Sequence, residues 1–62
     1  MHQSDLLSPA RRQFLNDVRC GVGRLAVKRM PNQYKWALMH GYVVELPNGR
    51  IEITGKGLER LK

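Results

Sequence analysis

The sequence predicts an α+β fold, mainly helical with one small β-hairpin, and three observations predict it. Ser8-Pro9 opens a stretch whose apolar residues recur at helical spacing. Glycine at 21, 23 and 41 and proline at 31 cut the middle of the chain into short helical segments. Asn48-Gly49 stands between two apolar runs, "YVVEL" and "IEI", where a chain reversal joins strands.

Ser8 suits the cap of the first helix, because its hydroxyl can accept an orphan backbone N–H, and proline fits the first helical position. The helix is expected over 9–19. Ala10, Phe14, Leu15 and Val18 form its inward stripe, with Arg11, Arg12, Asn16 and Arg19 in water. Gly21 and Gly23 end it. A second short helix is expected over 23–29, with Val22, Leu25, Ala26 and Met30 inward and Arg24, Val27 and Lys28 outward. Pro31 disfavours helical geometry at Met30 and opens a third helix over 31–40, where Tyr34, Ala37 and Leu38 share the core face. Gly41 suits the left-handed residue that follows a helix.

A two-residue type I′ turn at Asn48-Gly49 sets the expected register: Pro47 opposite Arg50, Leu46 opposite Ile51, Glu45 opposite Glu52 and Val44 opposite Ile53. That register puts Val44, Leu46, Ile51 and Ile53 on the core side and leaves a like-charge pair, Glu45 and Glu52, across the strands. Thr54 caps a short closing helix with Leu58 and Leu61 inward. Residues 1–7 are expected to be a flexible terminus and 8–62 a single domain.

At 62 residues the chain can bury only about 60% of the surface its unfolded form exposes. One cysteine, Cys20, supplies no intrachain disulfide and no zinc site, and a buried small side chain is its simplest role. No apolar run approaches a membrane span, and "MHQSDLLSPARR" lacks the apolar core of a signal peptide, so a reducing cytoplasm is the expected location. His2 and His40 stand at no spacing that suggests a metal site or a catalytic triad, and neither an enzyme nor a cofactor is expected.

Eleven Lys and Arg against five Asp and Glu give a formal charge of +6, and the sequence pI is about 10.3. Between Asp17 and Glu45 there is no acidic residue, while Arg19, Arg24, Lys28, Arg29 and Lys35 fall in that interval. The excess is central and interleaved with apolar residues. It therefore belongs to helices with one wet face rather than to a basic tail, and an anionic partner is the first expectation.

The order helix, helix, helix, strand, hairpin, strand, helix resembles a winged helix-turn-helix domain. "ALMHGYVVE", then "NGR", then "IEITGKGLERL" is similar to MarR-type and PadR-type transcriptional regulators, in which a recognition helix ends in Gly-hydrophobic-Val. A Gly-Arg wing follows there, and its second strand runs into hydrophobic-Thr-x-x-Gly-x-x-x-Leu, matched here by Ile53, Thr54, Gly57 and Leu61. The likeness covers 34–61. Ahead of it, the distance from Leu25-Ala26 to Gly41 is several residues shorter than in the family, so helix two or the turn after it is abbreviated.

The resemblance implies a non-enzymatic double-stranded DNA-binding protein, a small bacterial or phage regulator. Asn32 and Gln33 would pair with adenine edges and Lys35 with guanine or phosphate. Arg24, Lys28 and Arg29 would anchor phosphates, and Arg50 would steady the flank from the wing. Each has an ordinary alternative: a solvated helix position, a cap for Asn32, an ion pair to Glu52 or Glu45 for Arg50. Lys56 and Gly57 could hold one further phosphate through backbone N–H groups, although Gly-x-Gly at this place more simply marks a close helix-to-wing turn. Trp36 and Met39 lie outward on the expected helix, so either Trp36 packs in a wider core or the pair marks a protein interface, with a second copy or another partner. A winged helix used for protein contact, docking on an acidic surface, is the competing function. RNA binding is weaker, because Phe14, Tyr34, Trp36 and Tyr42 are scattered.

Overall fold

A computed structural model describes residues 7–62. It is mainly helical with one two-stranded antiparallel sheet: α1 (Pro9–Arg19), α2 (Gly23–Arg29), α3 (Pro31–Met39), β1 (Val43–Glu45), β2 (Ile51–Ile53) and α4 (Gly55–Arg60). The expected flexible terminus and His2 lie outside the described residues, save Leu7, which packs against the core.

Helix ends follow the punctuation of the sequence. The Ser8 hydroxyl accepts from the Arg11 N–H at 3.3 Å, with Pro9 in the first turn. Gly21, at φ 93°, closes α1: its N–H donates to Val18 O, and that of Val22 to Asp17 O. Gly41, at φ 75°, repeats the arrangement on α3, with its own N–H on Leu38 O and that of Tyr42 on Ala37 O. Both are Schellman ends, in which a left-handed residue lets its own amide and the following one turn back onto the last helical carbonyls. Between α2 and α3 only Met30 intervenes, at φ −136° and ψ 65°, because Pro31 forbids it a helical conformation. The helix α2 is seven residues long and a single residue separates it from α3.

The hairpin differs from expectation by one residue. Val43 pairs with Ile53, Val44 with Glu52 and Glu45 with Ile51. Leu46 O accepts from Gly49 N–H at 2.9 Å and Leu46 N–H donates to Arg50 O at 2.8 Å, so the loop is Pro47-Asn48-Gly49. Proline is the cause. Its fixed φ suits the first central position of a type I turn, Asn48 keeps a negative φ, and Gly49 alone is left-handed at 86°. A one-residue slip exchanges the two faces: Val43 is buried in place of Val44, which is exposed, and the Glu45–Glu52 pair does not form.

Phe14, Leu15, Val18, Ala26, Trp36, Ala37, Tyr42 and Val43 make the core. α1 runs through its middle, touching every other helix and β2. Each helix is rotated slightly from its expected orientation. On α1, Arg11 replaces Ala10 at the inner edge, with its guanidinium 4.6 Å over the Trp36 ring. α2 turns its Gly23 and Ala26 inward, with Val27 and Met30 against the core. A Cβ on Gly23 would lie 3.0 Å from Ile51 Cβ, so the smallest residues set this contact and leave Val22 and Leu25 in water. On α3, Trp36 is only 6% exposed and Leu38 faces out. Leu58 is exposed while Leu61 packs against the core, and Cys20 is exposed rather than buried.

Candidate nucleic-acid interface

α2 and α3 carry the candidate surface. Arg24, Lys28 and Arg29 project into solvent from α2, and Asn32 and Lys35 do so from α3, while Gln33 is half-buried. The single-residue connection at Met30 brings the basic end of α2 directly against the start of α3. Asn32 caps nothing: the position before the helix is Met30, which offers no side-chain acceptor.

Arg50 leaves the hairpin just after its turn, where its backbone N–H donates to Asn48 Oδ1 at 3.0 Å. Its guanidinium lies 3.9 Å from Glu52, an exposed pair worth under about 1 kcal/mol. Arg50 and Arg24 also line one small cleft of about 170 Å³, walled by Gly21, Gly23 and Ile51. Nothing in the sequence placed these two arginines together; the close approach of Gly23 to Ile51 does.

The cations divide by engagement. Arg11 covers the Trp36 ring, Lys56 and Arg60 flank the Tyr42 ring at 5.9 and 5.8 Å, and Arg12 donates to Leu61 O. Arg19 donates to Asn16, Lys62 pairs with Glu59, and Arg50 pairs with Glu52. Among the described residues, only Arg24, Lys28, Arg29 and Lys35 have no acidic, ring or hydrogen-bond partner for the side chain. All four fall in the acid-free interval of the sequence.

Of the alternatives the sequence left open, Gly57 takes the close helix-to-wing turn and Trp36 the wider core in place of the interface. Trp36 packs edge-on to Tyr42 at 5.1 Å and against His40 at 5.8 Å, while His40 stacks on Tyr42 at 5.6 Å. This cluster of three rings and three cations ties α1, α3 and α4 together. The i,i+4 spacing of Trp36 and His40, followed by a helix end that folds Tyr42 back, was its only signal in the sequence. With Trp36 and Tyr42 buried, it is no platform for bases. The Gly57 N–H is taken by Thr54 Oγ1 at 3.1 Å, and Lys56 is turned towards Tyr42, so they hold no free phosphate cradle. Met39, 78% exposed, stays on the surface beside Leu38.

Tyr34 links α3 to the hairpin: its hydroxyl donates to Glu45 Oε1 at 3.4 Å. Partial burial, then the charge of Glu45, then this hydrogen bond hold the phenol above its ordinary pKa. Among the described residues no group of His, Cys, Asp and Glu is placed to hold a metal ion, and no helix is long and apolar enough to cross a membrane. No protein-family model, curated protein or solved structure matches this chain.

Proposed function

We propose that the chain is a winged helix-turn-helix domain that binds double-stranded DNA without catalysis, in the role of a small transcriptional regulator. The observation that carries this reading is the set of four unengaged cations, Arg24, Lys28, Arg29 and Lys35, on two consecutive helices. The other basic side chains among the described residues each have a ring, a carboxylate or a hydrogen-bond acceptor as partner; these four are left to solvent. α3 would enter the major groove with Asn32, Gln33 and Lys35 forward, α2 would hold phosphates, and the hairpin would act as the wing, with Arg50 at its tip. The element order and the two glycine-closed helix ends support the fold assignment.

The test is a salt titration of binding to random duplex DNA, followed by fluorescence anisotropy. Each neutralised phosphate contributes about 0.9 to the slope of log K against log salt. Lys28→Ala and Arg50→Ala are each expected to weaken binding and to flatten that slope by about one such increment. Absence of binding at low salt, or slopes unchanged in both variants, would refute the reading.

A second reading, protein contact through α3, is favoured by Leu38 and Met39, which are apolar and exposed on the same helix. Burial of Trp36 removes its largest anchor. Met39→Ser separates the two readings: DNA affinity is expected to hold within about twofold, whereas a protein interface on α3 would lose its most exposed apolar group.

A further inference from the structure

An open groove of about 670 Å³ runs between α1 and α4, on residues that the DNA reading does not use. Its volume lies within the roughly 300–1,000 Å³ of ordinary ligand sites. Pro9, Leu58 and Leu61 supply apolar lining, Gln13 and Asn16 supply amides, and Arg12, Arg19 and Lys62 supply the charge. No Asp or Glu among the described residues lines it. Two lining residues engage acids of the same helices: Asp17 accepts from Gln13 at 2.8 Å, and Glu59 lies 3.6 Å from Lys62 in an exposed pair.

We propose that this groove docks an acidic, amphipathic segment of a partner protein, with apolar side chains on Leu58 and Leu61 and carboxylates against Arg12, Arg19 and Lys62. Charge complementarity selects the occupant. An anion alone would leave Leu58, 41% exposed, uncovered, and a duplex backbone has no apolar group to place there. A second copy of this chain is a poorer fit, since α2 and α3 contain no acid, and the exposed acids of the hairpin and α4 already have partners: Glu52 with Arg50, Glu45 with the Tyr34 hydroxyl, Glu59 with Lys62. The lining cations keep donors in reserve. Arg12 and Arg19 each use one nitrogen on a groove-wall neighbour, and a guanidinium has five N–H donors. Because the lining lies wholly on α1, α4 and the last two residues, a chain bound to DNA through α2 and α3 would still present the groove. The inference does not depend on the DNA reading.

The experiment is an NMR titration of the full chain with three synthetic peptides of about 15 residues. One carries Leu and Glu at helical spacing, one has Lys in place of Glu, and one has Glu but no apolar residue. The first is expected to bind, shifting amides of Arg12, Asn16, Leu58 and Leu61. Leu58→Ala and Arg12→Glu, each checked for an unchanged fold by its spectrum, are expected to weaken it about tenfold. Equal binding of the all-acidic peptide, shifts centred on Arg24, Lys28 and Lys35, or no binding would each overturn the proposal. So would a gain of about tenfold on deleting residues 2–6, because the groove's occupant would then be the chain's own terminus.

Discussion

Gly57 lies where α4 crosses the hairpin, and a Cβ there would meet Tyr42 O and come within 2.6 Å of Ile53 Cγ1. Backbone cannot yield as a flexible side chain can. Gly57→Ala is therefore expected to cost about 1–3 kcal/mol, read as a lower denaturation midpoint at unchanged m-value. Gly55→Ala, two residues earlier in open space, should leave the midpoint within about 0.5 kcal/mol of wild type or raise it. Tyr34 gives a test in pH. Its phenol titrates above the ordinary value in the folded chain, so the unfolded chain releases that proton first as pH rises. The contribution is fully present below the ordinary tyrosine pKa of about 10 and is lost as pH climbs through the folded value. Alkaline unfolding measured by circular dichroism should show this loss in wild type and a shallower one in Tyr34→Phe.

Thr54 joins two elements. Its hydroxyl caps α4 by accepting from Gly57 N–H and itself donates to Gly41 O at 2.7 Å, at the end of α3. Thr54→Ala is expected to cost about 1–2 kcal/mol, and Thr54→Ser to recover most of it; thermal melts of the pair decide. Helix positions and their caps were legible in the sequence because they rest on local chemistry: Ser8, Gly21, Gly41 and Thr54 act on neighbours in the chain. The hairpin register was not, because Asn48-Gly49 taken alone points to one turn and Pro47 ahead of it to another. Nor were the helix rotations, since large apolar residues were expected inward, whereas Gly23 and Ala26 determine how closely α2 can approach. The basic candidate surface was legible as an interval without acids. Its separation from the other cations depends on rings and carbonyls brought together only by folding.

At the scale of the whole molecule, the division of cations predicts a division of effects. Arg11 covers Trp36, so Arg11→Ala should lower stability by about 0.5–2 kcal/mol through lost ring contact and packing. Lys28→Ala should leave stability within about 0.5 kcal/mol while weakening DNA binding, and chemical denaturation beside anisotropy on the same samples checks both. A variant set in which binding and stability fall together would contradict the division. The acid-free α2–α3 surface has a further consequence in time. A surface that gathers four cations without an acid attracts a polyanion before contact and favours the approaches that present that surface. Collisions would then arrive already oriented, so ionic strength should act mainly on the rate of capture, with the lifetime of the bound state changing less.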